Sequence, residues 1–219
     1  MQTIVISLGG SIIIPNKINY KFLEEFKKII LNNKKYKFII VTGGGKTART
    51  YIEAAKKEKL TEKELSILGI MATRMNAELV SEMLKIKTKL PLTHKDIKNN
   101  KITVCGALGT RPGMTSDANS AELARDHKAK CFINMTNVSG LYTKDPNKYK
   151  EAKLIKNITF KEFNKKIKRI KYEAGQHFVL DQKASKIIKN NKITTYIIKG
   201  NNNLNNILNN KKFIGTTIS

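Results

Sequence analysis

Short runs of mostly apolar residues recur along the chain, at residues 3–6, 37–42, 102–105, 131–135 and 194–198. Such runs are too short for helices and mark strands covered on both faces. Between them, apolar residues return at helical spacing over 22–31, 47–57, 62–84, 117–127, 160–167 and 181–189. Asp117 stands where an N-cap would open its helix. The asparagine-rich stretch 201–210 is low in complexity. It still holds Leu204, Ile207 and Leu208 at helical spacing, which predicts a short helix and not a loose tail. Gly215, Thr216, Thr217 and Ile218 close the chain. Strands alternating with helices predict an α/β fold with a mainly parallel sheet and helices on both faces. No linker or internal repeat interrupts the pattern, so one domain over 1–219 is expected.

Glycines cluster just past the predicted strands: Gly9 and Gly10, then Gly43, Gly44 and Gly45, then Gly106, then Gly140. In parallel α/β sheets ligands bind beyond the carboxyl ends of the strands, so these loops can converge on one crevice. Glycine lets backbone N–H groups approach an anion, and a following helix adds partial positive charge. LGGS at 8–11 and GGGK at 43–46 are both of this type, with a third glycine loop at 109–113. A P-loop would need glycine at position 40, which is Ile40, so that template fails. GGGKTA at 43–48 does fit G-x-G-x-x-[GA]. However, the acidic residues that could serve a dinucleotide, Glu62 and Glu64, fall in a helix and not at a strand end.

The formal net charge of +25 raises a nucleic-acid reading. Only five of the 42 basic residues are arginine, and the lysines are scattered among asparagine and isoleucine. A dedicated binder would use arginine and interleaved aromatics, so the charge reads as solvated surface and a nucleic-acid partner is not expected. The same scarcity singles out Arg49, Arg74 and Arg111, which fall in motif-like segments. No apolar run is long enough to span a membrane, and the N-terminus lacks the basic start of a signal peptide. Cys105 and Cys131 read as small core residues of a reducing compartment, so a cytoplasmic protein is expected. His94, His127 and His177 share no metal spacing and are expected at the surface. Met71 and Met75 follow helical spacing and are expected in the core or an interface.

The order LGGS, VTGGGKTARTYI, GIMATRMNAEL, GTRPGMTSDANSAELA, TNVSGLYTKDP and GTTI resembles the amino acid kinase superfamily, and within it the archaeal-type uridylate (UMP) kinases. The resemblance runs from Ile4 to Ile218. It implies a three-layer α/β/α sandwich with an open, mainly parallel sheet. It also implies transfer of the γ-phosphoryl group of ATP to UMP in pyrimidine nucleotide synthesis, a requirement for Mg2+, and a homohexamer. By resemblance, Gly10, Ser11, Gly45 and Arg49 lie by the ATP phosphates, and Gly44 contacts UMP. Thr110, Arg111, Pro112, Gly113, Met114, Thr115 and Ser116 wrap the UMP base and phosphate. Asp117 organises the reacting groups, with Asp181 as the second acidic position of the catalytic centre. Thr136, Asn137, Tyr142 and Asp145 frame the nucleotide end of ATP, with Tyr142 against the adenine.

Three positions depart from the pattern. Ser7 stands where many superfamily members carry a first-strand lysine, which leaves Lys46 and Arg49 as candidate cations beside Mg2+. Ser66 replaces an aspartate that binds ribose hydroxyls, and a serine does so without charge assistance. Ser139 replaces the aspartate of T-N-V-D-G. Two other readings therefore stand beside UMP kinase: a relative acting on another small acidic acceptor, such as an N-acetylated amino acid, carbamate or isopentenyl phosphate, and a non-catalytic nucleotide or nucleic-acid binding module.

Overall fold

The computed structural model describes residues 1–110, 114–146, 148–168 and 180–219; Arg111, Pro112, Gly113 and His177 fall outside them. Strand β1 (Gln2–Leu8) lies between β2 (Tyr36–Thr42) and β4 (Cys131–Met135), parallel to both. β3 (Ile102–Cys105) extends the parallel sheet beyond β2, and β8 (Thr195–Ile198) extends it beyond β4. β9 (Gly215–Ile218) then runs antiparallel to β8, and β7 (Asn157–Ile158) pairs with β9. The order across the sheet is β3-β2-β1-β4-β8-β9-β7. A separate antiparallel pair joins β5 (Leu141–Tyr142) to β6 (Leu154–Ile155).

Side chains alternate across a strand, and here both faces are covered. Ile4, Ile6 and Leu8 enter one core with Phe26 and Ile30 of α2 (Tyr20–Asn32), Val80 of α4 (Glu62–Met83), and Leu204 and Leu208 of α8 (Asn201–Leu208). Val5 enters the other core with Leu123 of α5 (Ser116–Asp126), Phe163 of α6 (Phe160–Lys168) and Ile188 of α7 (Gln182–Asn191). Helices thus cover both sides of the sheet, the expected three layers. Phe132 on β4 is fully buried in the second core, and truncating it to alanine would cost about 3–5 kcal/mol.

The short α1 (Gly10–Ile13) follows β1, and α3 (Gly45–Lys57) follows β2. α3 buries no residue fully and packs chiefly on α4. Both cysteines are buried and free, as expected.

Some expectations change. Thr115, not Asp117, caps α5: its side chain accepts from the Ala118 N–H, because a threonine in extended backbone points its oxygen at the helix start. Met71 and Met75 are 56% and 55% exposed, so they do not belong to the core of this chain. His94 is not a plain surface residue. It is half buried between Glu122 and Asp126 of α5, 3.3 Å from each, and this fastens the short 3-10 turn His94–Asp96 to that helix. Glu64, the acidic residue of the dinucleotide template, instead closes a capping box with Thr61 at the start of α4.

Candidate active site

Because β1, β2, β3 and β4 are parallel, their following loops open on one edge of the sheet. The loops after β1 and β2 meet there in close contact. A Cβ added at Gly10 would lie 2.0 Å from the backbone N of Gly45, and one at Gly43 would lie 2.5 Å from the N of Gly10. No other residue fits at either place. Gly45 also adopts φ +62°, in the left-handed region that favours glycine. The two glycine runs are therefore one structure, two backbones pressed together at the carboxyl end of the sheet. On the other side, Gly9 donates its N–H to the Met135 carbonyl at the end of β4 (3.0 Å).

α3 starts inside this structure. Its N-cap is Gly44, which offers no side chain to the first-turn N–H groups, whereas α4, α5 and α7 are capped by Thr61, Thr115 and Asp181. Without a capping side chain the start of α3 keeps its partial positive charge for an anion, although the Lys46 N–H is already given to the Ile14 carbonyl (3.2 Å). Arg49 lies one turn into α3, half exposed, and Lys46 is exposed at its start.

Two carboxylates are tied to this end of the sheet. Asp117 occupies the first turn of α5, and the Ser7 hydroxyl at the end of β1 donates to its Oδ1 at 2.8 Å. Asp181 caps α7, accepting from the N–H groups of Lys183 (2.7 Å) and Ala184 (2.9 Å) through Oδ1. Its Oδ2 accepts from the Thr115 hydroxyl, so the cap of one helix holds the cap of the other. Burial pushes the Asp117 carboxyl up to about 7. The charge of Asp181 adds to the rise and the Ser7 hydroxyl opposes it. Such a pair invites a cation. Among the described residues no group of three or more His, Cys, Asp or Glu could hold a metal on its own. The chemistry of the pair fits Mg2+, which takes one or two carboxylates and completes its shell with phosphate oxygens and water.

The comparisons agree with this architecture. A profile of the amino acid kinase family matches residues 2–199. The chain belongs to the amino acid kinase family. It is 37% identical to a uridylate kinase of Thermoplasma volcanium over 99% of this chain and 97% of that protein. It is 38% identical to a uridylate kinase of Methanocaldococcus jannaschii over 90% of each. The solved uridylate kinase of Archaeoglobus fulgidus superposes over 100% of both chains with TM-score 0.86 and 33% identity. The UMP kinase of Ureaplasma parvum, 22% identical with TM-score 0.78, shares the fold.

Within this amino acid kinase fold the remaining candidates divide into two groups. Thr136 and Asn137 lie directly after β4, and the Thr136 N–H donates to the Ile198 carbonyl (2.9 Å). Tyr142 is half buried on β5, and Asp145 is exposed just beyond it. Thr216 of β9 holds this hairpin to the sheet: its hydroxyl donates to the Ile155 carbonyl (2.6 Å) and accepts the Leu141 N–H (2.8 Å). The GTTI segment is therefore a fastener for the Tyr142 hairpin. On the opposite side, Ser66 lies half buried on α4, one turn before Gly69, whose carbonyl is 3.5 Å from where a Gly44 Cβ would be. Ser11 is half buried in α1. Of the acceptor segment, Thr110, Met114, Thr115 and Ser116 are described. Met114 touches Lys183, whose ammonium is 3.0 Å from its sulfur. Sequence reasoning missed Ser7 as a partner of Asp117; it treated the serine only as an absent lysine, and no local pattern links positions 110 residues apart.

Proposed function

We propose that this protein is a UMP kinase of the archaeal type, one amino acid kinase-like domain over 1–219 that transfers the γ-phosphoryl group of ATP to UMP and releases UDP for pyrimidine nucleotide (CTP) synthesis. The observation that carries the reading is that the Asp117–Asp181 pair, tied to Ser7 at the end of β1, shares one end of the sheet with two fused glycine loops, as two phosphorylated substrates meeting head to head require. The uridylate kinase relatives, aligned over nearly the whole chain, support UMP as acceptor.

In this reading Gly10, Ser11, Gly45 and Arg49 receive the ATP phosphates. Thr136, Asn137, Tyr142 and Asp145 hold its nucleoside, with Tyr142 against the adenine. Gly44, Ser66 and the segment from Thr110 to Ser116, including Arg111, Pro112 and Gly113, take UMP. Phosphoryl transfer demands positioning and neutralisation of charge more than covalent help. No general base is needed, because the attacking UMP phosphate is already an anion. Backbone N–H groups of the glycine loops and the Arg49 guanidinium stabilise the charge spread over the transferred group. Asp117 and Asp181 would hold the water shell of a magnesium ion brought in with ATP, beside the reacting phosphates. Mg2+, bound with ATP, supplies the neutralisation that a first-strand lysine would otherwise share; no side chain is assigned as its direct ligand. We place the protein in the cytoplasm; among the described residues no helix is long and apolar enough to cross a membrane. The homohexamer implied by the family resemblance belongs to the same proposal.

The test is transfer from ATP with Mg2+ to UMP, CMP, AMP and isopentenyl phosphate, with Asp117→Asn as control. UDP formation that collapses in the variant is expected. Transfer to another acceptor alone would overturn the substrate, and no transfer to any would return weight to a binding module.

A further inference from the structure

The TRMN segment of α4 stands out in the sequence yet has no part in the chemistry above. We propose that Arg74 is a positioning residue for the acceptor, and that Thr73, Arg74 and Asn76 together set the spacing between the acceptor loop after β3 and the phosphate loop after β2. The inference rests on the UMP kinase reading for the identity of the acceptor.

α4 touches both loops within four residues. The Thr73 carbonyl accepts from the Thr42 hydroxyl at the end of β2 (2.8 Å), and the Thr73 hydroxyl accepts the Ala107 N–H just past β3 (2.8 Å). One residue thus ties the two strand ends together. Asn76, 1% exposed, donates from Nδ2 to the Gly43 carbonyl at 2.7 Å and so holds the phosphate loop. Arg74 serves the other loop. Its Nε donates to the Ala107 carbonyl (3.3 Å) and its Nη2 to the Gly109 carbonyl (3.1 Å). Gly109 donates its own N–H to the Leu92 carbonyl at 2.6 Å, so the peptide groups on both sides of this glycine are gripped. It adopts φ +74°, and the chain then enters the acceptor segment at Thr110. α4 and the start of this loop pack backbone to backbone: a Cβ on Gly106 would lie 2.7 Å from the backbone nitrogen of Arg74.

The choice of arginine follows from this geometry. Two carbonyls two residues apart need a donor with fixed, divergent N–H groups. A guanidinium provides them, whereas an ammonium is a single point donor on a flexible stem. Both acceptors are uncharged, so the cation keeps its field beside the loop that would receive a phosphate monoester. Loss of Arg74 frees the acceptor loop and leaves the phosphate loop on Asn76.

The test is steady-state kinetics of the full chain, varying UMP at saturating ATP and then the reverse, for wild type, Arg74→Ala, Arg74→Gln, Arg74→Lys and Asn76→Ser. Losing two charge-assisted hydrogen bonds is expected to raise the KM for UMP about tenfold or more in Arg74→Ala, with the KM for ATP within about twofold. Arg74→Lys should recover part, and added guanidinium ion should lower the UMP KM of Arg74→Ala. Asn76→Ser should raise both KM values, because the loop it holds carries Gly44 for UMP and Gly45 for ATP. Equal rises in both KM values in Arg74→Ala, or a lowered Tm with an unchanged UMP KM there, would overturn the proposal. If Arg74→Ala does not fold, Arg74→Gln carries the same comparison. Should wild type make no UDP, the UMP reading falls separately. Amide hydrogen exchange over 106–110 in Arg74→Gln then decides the brace: faster exchange there, with 43–45 unchanged, upholds it, and equal exchange overturns it.

Discussion

Asp117 is a carboxylate whose surroundings oppose its own charge. Burial and Asp181 raise its pKa from 3.8 to about 7, against the Ser7 hydroxyl. A raised acid binds its proton more tightly in the folded state than in the unfolded one. Its ionisation therefore lowers stability progressively from about pH 4 to pH 7, after which the cost is constant. Asp117→Asn should match wild type in Tm near pH 4 and exceed it at pH 8. The margin should be small, because Asp117 is only half buried. The same variant should lose on the order of 10²–10³ in kcat. A melting series that stays parallel across pH would contradict the raised pKa. Ser7 makes a sharper case. Removing its hydroxyl in Ser7→Ala takes away the hydrogen bond that favours the ionised form, so the acid limb of kcat/KM should move to higher pH. Ser7→Thr should leave it near wild type. The phosphate of UMP titrates near the same range, so the comparison is between variants, where that contribution cancels.

At the scale of elements, the two glycine runs do different work from the other glycines. Gly10→Ala would place a methyl 2.0 Å from the Gly45 nitrogen, where only backbone stands in its way. The loops must then separate, and both Tm and transfer from ATP should fall. Gly69 lies inside α4, and its Cβ would meet only the Ile52 side chain, at 3.6 Å. Gly69→Ala should therefore stabilise the fold by about 0.5–1 kcal/mol, the ordinary gain in a helix interior. Thermal melts of the two variants should move in opposite directions; a shared direction would refute the packing argument. This contrast also marks what the sequence could disclose. The long elements were legible, because the runs at 37–42 and 131–135 and the helical spacing at 62–84 have periods that local physics imposes. The strands β5, β6 and β7 have two residues each and no period to read. The clustering of glycines at strand ends was visible, but the fusion of Gly10 with Gly45 depends on strand pairing. The Ser7–Asp117 and Arg74–Gly109 bonds likewise join residues that only the assembled sheet brings together.

For the whole molecule, a net charge of +25 opposes self-association, so any contact between copies must use a face where that charge is thin. The long helix α4 offers one. It carries Glu62, Glu64, Glu78 and Glu82 against only Lys63 and Arg74. On one side of it Ile67, Met71 and Met75 follow one another at four-residue steps, 42%, 56% and 55% exposed. Tyr51 of the adjoining α3 is 59% exposed as well. Apolar side chains in a row on a net-acidic helix are what a second copy of a strongly cationic chain would cover, because burial there brings few like charges together. Met71→Glu should shift the mass measured by light scattering toward a smaller species. Added salt should strengthen the wild-type association by screening the remaining repulsion. Catalysis depends on charges held at short range inside the crevice and should respond to salt far less than a nucleic-acid contact would. An unchanged mass in Met71→Glu would move the contact to another face, and the scattered lysines could not supply it.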